Sequence, residues 1–509
     1  MKPRMPKSAP VTPTMMVSSA THSKGTSTSA MSSFVIIMQY FAGNTYQKGT
    51  RIVTEIVIGV TKCHTTTVPV FGTDGRLFTR RFLLKANILI KGVLRSALLT
   101  GMVSLVYAQF PAAQQSKLKV LSADQAMKAL HSTTWASATA AANALTQRGT
   151  RGDTSLLPTW FYSTVTSQDG RQYSGVIVGG DPTVAGTTTV PVVLIPVIFN
   201  ITQGSHSRTT GRGTTYSFDP TATDAGCLGS GNTGLSLVQS SPLFQTTTPT
   251  VYPINGVNFS TTQYGDAFRS AEFYTIASPD SHVLLNATAD SPLVVNIDGG
   301  ASGSDTGTVY GVPNCGVNSG PVNHGGTLAV VDINLVDEQL QLYIRDHGYT
   351  ASTLPFFVTY DTVFSIGSSI SGPCCVLGYH AANNDPGPTY GIGDFQGDFN
   401  QVFTGLGDIS IISHEVNEWI NDPYGDNLTP PWGNVGQVGG GCQNNFEVGD
   451  PLTGQVQPTF SLNGFHYHLQ ELAFYSWFYG GPSLGAGGLY SSNGSFTGPA
   501  DLCPPGGTN

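Results

Sequence analysis

At 509 residues, with a formal charge of -8 and only 11% of residues charged, the chain is long enough for a sizeable core and for more than one domain. Its short Val/Ile/Thr-rich apolar segments and abundant Gly, Ser and Thr favour β-structure with few helices. The charge is uneven: through Ala108, 13 Lys+Arg face only Glu55 and Asp74, whereas from Gln109 onward 10 Lys+Arg face 29 acids, a balance that excludes nucleic acid and anionic lipid as partners of the main body.

Residues 1–80 are Ser/Thr/Lys-rich without periodicity and read as an artefactual or disordered extension. Residues 81–108 read as a secretory signal: Arg80, Arg81, Lys85, Lys91 and Arg95 precede the apolar run 96–105, and Val106 and Ala108 stand at -3 and -1 before Gln109. The competing reading is a single-pass anchor over 90–108, although the apolar run is short for a span. After cleavage no membrane contact is expected. Residues 109–150 read as a helical segment, with a helix expected over 122–146 as a propeptide remnant, and 149–153 reads as a linker.

Strands are expected over 175–178 and 190–201, where Pro191 and Pro196 suggest an edge or bulged strand. Short helices follow at 235–244 and 262–274, then strands at 282–287, 292–297, 327–335 and 354–364, with a Gly-rich loop at 299–320. Residues 151–370 thus make a β-rich domain, and 371–509 a metal-binding region. Six cysteines remain after cleavage, Cys227, Cys315, Cys374, Cys375, Cys442 and Cys503, none at C-x-x-C spacing, so up to three disulfides are expected. Cys374 and Cys375 are expected to take different partners, and Cys503 to pin the Gly/Ser/Pro-rich tail.

The stretch 374–380 reads as a strand ending at Tyr379 and His380. Beyond it, apolar residues at 409, 412, 416, 419 and 420 predict a helix over 408–420 with Asp408 as its cap. On that helix His414 and Glu418 lie one turn apart, with Glu415 beside them. Only seven Glu occur in the chain, and Glu415, Glu418, Glu447 and Glu471 lie within 57 residues of one another, near His466 and His468. The alternative for this helix is a solvated acidic face. Glu447 suits a third ligand carried back by a loop, with Asp450 orienting His414. The turn 421–427 reads as a calcium site or a satisfied Asx turn. His466 and His468 are expected on one side of a strand, His468 being the reserve ligand.

The H-E-x-x-E helix resembles the H-E-x-x-H helix of zinc metallopeptidases. The longer pattern His414-Glu415-Val416-Asn417-Glu418, then Asp422-Pro423 and Glu447-Val448-Gly449-Asp450, resembles secreted bacterial zincin-like (gluzincin-like) proteins, and distantly the plant exordium or phosphate-induced group. The likeness to zincins proper covers about 40 residues. It implies an α+β fold with a zincin-like metal-binding helix in the C-terminal part, Zn2+ held by His414, Glu418 and Glu447, Glu415 as general base, and an edge strand beside the helix where a peptide substrate pairs. Tyr379, His380, His466 and His468 are the candidates for stabilising the oxyanion, and His380 and His468 join Glu415 as catalytic candidates. The rival expectations are a non-catalytic secreted β-rich protein with a structural metal or calcium site, and a carbohydrate-active protein using exposed Trp419, Trp432 and Trp477.

Overall fold

The computed structural model describes residues 156–503 apart from short internal stretches, together with three two-residue strands, Ile36–Ile37, Val57–Ile58 and Lys119–Val120. The first two strands pair antiparallel within the unit Met1–Val106, and the second unit is Tyr107–Asn509. Apart from the strands Ile36–Ile37 and Val57–Ile58, the expected leader lies outside the described residues, as do the signal, the linker and the 122–146 helix.

In the second unit the Val/Ile/Thr-rich run becomes a long strand, β1 (Gly186–Gln203), which is the spine of the main sheet. Helix α1 (Tyr264–Glu272) leads into β2 (Ser281–Ala289), and α2 (Ile333–His347) into β3 (Leu354–Tyr360). Then come β4 (Gly378–Ala382), β5 (Thr389–Phe395) and α3 (Ser410–Asn421). The order along the sheet's main path is β2-β1-β3-β5-β4, with every pairing on that path parallel except β4 against β5, so β4 is an antiparallel edge strand; Thr214–Phe218 also pairs antiparallel with β1. One sheet therefore draws strands from both sides of residue 370. The architecture is β-rich with few helices, in keeping with the α+β expectation.

The prolines of β1 do not place it at an edge. Pairing with β3 begins only at Val192, after Pro191. Pro196 falls in the gap between β2, which pairs as far as Leu194, and Leu293–Gly299, which pairs from Val197. A missing N–H is tolerated where a neighbour is interrupted.

Alternation along the strands sorts the core into two layers. Phe356 and Val358 of β3 join Ile412, Val416, Trp419 and Ile420 of α3 and Phe268 of α1 on one face. Phe357 joins Val336, Leu340 and Ile344 of α2 on the other, with Tyr379 and Ala381 of β4. His380, between those two, is thereby turned toward α3. Both faces are covered, and every residue of β3 and β5 is buried.

The sequence reading missed α2. Its signals are present: Asp332 caps it by accepting from Asn334 N–H, Ile333, Val336, Leu340 and Ile344 make its stripe, and Gly348 closes it at φ 65°. The preceding apolar strand, Thr327–Asp332, runs straight into that stripe and masks the change of period. The run 354–364 is two strands, β3 and Thr362–Ser365, broken at Asp361 with φ 43°. The loop expected at 299–320 contains a strand, Gly307–Gly311.

Cys374 and Cys375 are bonded to each other across a cis peptide bond with their Cα atoms 3.0 Å apart, which corrects the expectation of separate partners. Adjacency excludes a trans-peptide bridge of ordinary span but not this short ring. Cys442 pairs with Cys503, pinning the tail as expected, and Cys227 is also disulfide-bonded. Because the Cys442–Cys503 bridge closes a 61-residue separation, the Cys442→Ser, Cys503→Ser double variant is expected to lose roughly 2–5 kcal/mol of stability. Chemical denaturation checks this, and an unchanged midpoint would contradict it.

Candidate metal centre

Helix α3 begins at Ser410, two residues later than expected. Asp408, at φ 32°, does not cap it: its carboxylate accepts from Ile409 N–H and His468 N–H and pairs with the His468 ring. All twelve residues of α3 are buried. Its apolar stripe faces the sheet, and its polar side, with His414, Glu415 and Glu418, must find partners inside the protein.

Three elements supply them. Strand β4 presents His380. The stretch after Cys442–Asn445 presents Glu447, then Gly449 and Asp450, whose N–H groups both donate to Glu418 Oε1, at 3.0 and 3.1 Å. His414 Nε2 lies 3.0 Å from Glu418 Oε1 and 3.4 Å from Asp450 Oδ1. His380 Nδ1 lies 3.6 Å from Glu415 Oε2 and 3.9 Å from Glu418 Oε2, and its Nε2 lies 3.8 Å from Glu447 Oε2. Two groups of ligand-type atoms result, His414/Glu418/Asp450 and His380/Glu415/Glu418, each with its atoms within 4.8 Å of one another.

Neighbouring hydrogen bonds set the ring protons. Gln470 Nε2 donates to Gly449 carbonyl at 2.6 Å, so its Oε1 is the end that meets His414 Nδ1 at 3.1 Å, and Nδ1 carries the proton. His414 Nε2 is then a bare lone pair facing carboxylates. His380 Nε2 donates to the Asp422 carbonyl at 2.9 Å, which leaves Nδ1 bare toward Glu415 and Glu418. A lone pair and a carboxylate oxygen at such distances repel unless a cation, a proton or a metal ion, lies between them. Donation of the second ring N–H to a carbonyl or amide is how metal-ligating histidines are held.

No Lys or Arg follows Arg345 in the sequence, so the stretch that carries α3 and the acids after it has no side-chain cation except histidine. Burial pushes Glu447 well above the usual carboxylate range, and the charges of Glu418, Asp422 and Asp450 push it further. Burial also raises Asp450 to about 7, reinforced by Glu418 and opposed by His414, and raises Glu415 against the pull of His380. Glu418 is the exception: burial would raise it, yet His414 holds it below the usual range. Burial would lower His414, but Glu418 and Asp450 lift it well above the ordinary value. Without a metal ion, a proton fills that gap.

The donor set is compatible with a divalent ion such as zinc. Around a tetrahedral ion with bonds of about 2.0–2.2 Å, donor atoms stand roughly 3.3–3.6 Å apart, close to the 3.0 and 3.4 Å found at His414 Nε2. The structure gathers Asp450, rather than Glu447, with His414 and Glu418. Glu447 stands beside His380, its Oε1 accepting from Asn445 Nδ2 at 3.0 Å.

Other candidates lie elsewhere. His468 sits against Asp408 ahead of the helix, and His466 contacts Ser461 Oγ at 2.7 Å on the exposed hairpin Phe460–Leu462/Phe465–Tyr467. Neither donor group contains them. Tyr379 faces the opposite layer and donates to Asp337 at 3.0 Å, which removes it as an oxyanion donor. Glu471 accepts from Ser491, Asn493 and Ser495 and organises their loop. Residues 421–427 form a hydrogen-bonded turn, not the two-residue Asx turn expected: Asp422 accepts on its carboxylate from the N–H groups of Asp426 and Asn427, and on its carbonyl from Gly425 N–H. Trp419, Trp432 and Trp477 are buried, so the exposed aromatic platform of the carbohydrate reading is absent.

Gln470 and two glycines escaped the sequence reading. A Cβ on Gly449 would stand 2.6 Å from the His414 ring, and one on Gly378 would stand 2.7 Å from Glu415 Cγ. The Gly-Asp pair after Glu447 was the available signal. Gly449→Ala is expected to displace the ring and weaken metal binding by roughly 10–100-fold, read by metal titration. Unaltered affinity would show that the ring does not hold the ion.

Comparison with family models, with curated proteins and with solved structures finds no match.

Proposed function

We propose that this chain is an exported, divalent-metal-dependent hydrolase of zincin-like type acting on peptide bonds, with His414, Glu418 and Asp450 holding zinc. The observation that carries the reading is the bare Nε2 of His414, fixed by Gln470 and aimed at two buried carboxylates. Zinc bound there would supply an acidified water, with a pKa near ~7, and polarise the scissile carbonyl. Glu415 is the base: its Oε1 lies 4.0 Å from His414 Nε2, and burial raises its affinity for a proton, so it takes one from the attacking water and delivers it to the leaving amine. Strand β4 lies antiparallel at the sheet edge beside α3, where an extended peptide can align.

The disulfides suit an oxidising compartment, which supports export. Among the described residues no helix is long and apolar enough to cross a membrane.

A second reading, a structural metal site in a non-catalytic protein, is favoured by burial: His414 is 4% exposed, and Glu418 and Asp450 are fully buried. Elemental analysis combined with a peptide-library assay separates the two. Zinc at roughly one ion per chain or more, with hydrolysis that chelation abolishes and zinc restores, supports the peptidase. Bound metal with no hydrolysis of any library supports the structural site, and calcium alone removes the zinc reading.

A further inference from the structure

Glu418 divides its carboxylate between the two histidines. Oε1 lies 3.0 Å from His414 Nε2, and Oε2 lies 3.9 Å from His380 Nδ1. Glu415 does the same, with Oε1 4.0 Å from His414 Nε2 and Oε2 3.6 Å from His380 Nδ1. We propose that the centre holds two divalent cations, the second bound by His380 Nδ1, Glu415 Oε2 and Glu418 Oε2 beside Glu447, with Glu418 bridging the pair. The proposal rests on the first site described above and adds a second.

Four observations converge. His380 Nδ1, Glu415 Oε2, Glu418 Oε2 and Glu447 Oε2 are all buried and make no hydrogen bond among the described residues. Buried polar atoms are seldom left so, and three of them, on His380, Glu415 and Glu418, gather within 4.8 Å of one another, with Glu447 on the Nε2 side of the His380 ring. The Nε2 donation to the Asp422 carbonyl leaves His380 with its lone pair on the side of these oxygens, as a ligating histidine requires. The three atoms His380 Nδ1, Glu415 Oε2 and Glu418 Oε2 form a ligand-type group of their own, sharing only Glu418 with the first. Charge points the same way: Glu415, Glu418, Glu447 and Asp450 carry four negative charges when ionised, which one divalent ion halves and two neutralise. No Lys or Arg after Arg345 is available to do so.

A carboxylate that presents one oxygen to each ion holds them at the separation of about 3.5–4 Å typical of paired-metal hydrolytic sites. One imidazole with carboxylate oxygens suits Mn2+, Fe2+ or Zn2+, and the nitrogen donor argues against Ca2+. Glu415 keeps Oε1 on the His414 side, where the proposed base acts.

The test uses the full chain, stripped with chelator and titrated with Mn2+ alone, with free Mn2+ and the bound signal followed by electron paramagnetic resonance. The expected result is two bound equivalents with an exchange-coupled spectrum, reduced to one uncoupled equivalent in His380→Ala. One equivalent in the wild type, unchanged in His380→Ala and lost in His414→Ala, overturns the second cation and leaves the first site standing. One equivalent that disappears in His380→Ala but survives in His414→Ala overturns the paired centre and the first site with it, and no binding at all overturns both sites. Two uncoupled equivalents overturn the bridge. Should His380→Ala fail to fold, the wild-type stoichiometry and coupling decide the matter alone.

Discussion

Glu415→Gln is expected to lower hydrolysis by roughly 10²–10⁴-fold while the metal at His414 stays bound. That range corresponds to about 3–5 kcal/mol of lost transition-state stabilisation. The expectation follows from where the side chain lies. Glu415 stands next to the His414/Glu418/Asp450 group without belonging to it, so a neutral amide of the same size leaves those three donors in place. The isosteric change also respects the close approach of β4, where Gly378 has no room for a Cβ beside Glu415. His414→Ala should behave differently, losing metal and activity together, because it removes a donor whose binding energy is coupled to the fold. Steady-state rates on a peptide library, with metal content measured on the same samples, make the comparison. A Gln variant with full activity would show that Glu415 is not the base.

The metal-free protein should be less stable at pH 8 than at pH 5, by on the order of a few kcal/mol. Buried carboxylates with raised pKa values carry this, Asp422 (burial raises it to about 7, against His380) and Glu447 among them, beside three more. Burial raises Glu272 to about 8, against a hydrogen bond from Tyr475 N–H and the charge of Arg269. It raises Asp394 to about 7 in spite of Thr362 N–H and the Thr359 hydroxyl, and it raises Asp450 to about 7. In the unfolded chain such groups release their protons near pH ~4, so between about 4 and 8 the folded state binds more protons than the unfolded one. The stability they contribute is therefore full below the unfolded value and lost as pH rises through 7 to 8. His414, raised by Glu418 and Asp450 against its burial, adds in the same direction. Glu418, held low by His414 against its own burial, acts only as pH falls below the usual carboxylate range, outside this window.

Saturating metal should reverse the Asp450 and His414 parts, since both must give up protons to act as ligands. Glu272, Asp394 and Asp422 keep their share, and Glu272→Gln with Asp394→Asn should reduce the remaining dependence. Urea unfolding at several pH values, with and without metal, is the measurement. Metal-free stability that climbs from pH 5 to 8 would contradict the expectation.

Sequence alone was enough for the features that depend on local spacing. The four-residue step from His414 to Glu418 put both on one side of a helix, the Val/Ile/Thr-rich runs marked β1, β2 and β3, and the Asn-Asp-Pro-Tyr-Gly-Asp-Asn turn carried its own hydrogen bonds. The turn of His380 toward α3 was not legible in the same way. It depends on β4 being the antiparallel neighbour of β5, and that pairing is long-range. Which acid after the helix meets His414 was also a tertiary matter. Glu447 and Asp450 are three residues apart in one short stretch, and nothing local separates their roles. The fold does, because Gly449, lacking a Cβ, lets the backbone press against the His414 ring, with its own N–H and that of Asp450 on Glu418, and this brings the Asp450 carboxylate to His414 and leaves Glu447 at His380. Burial of the whole of α3, including its charged side, came likewise from elements far apart in sequence closing over it, since helical periodicity records which face is apolar and cannot record what covers the other.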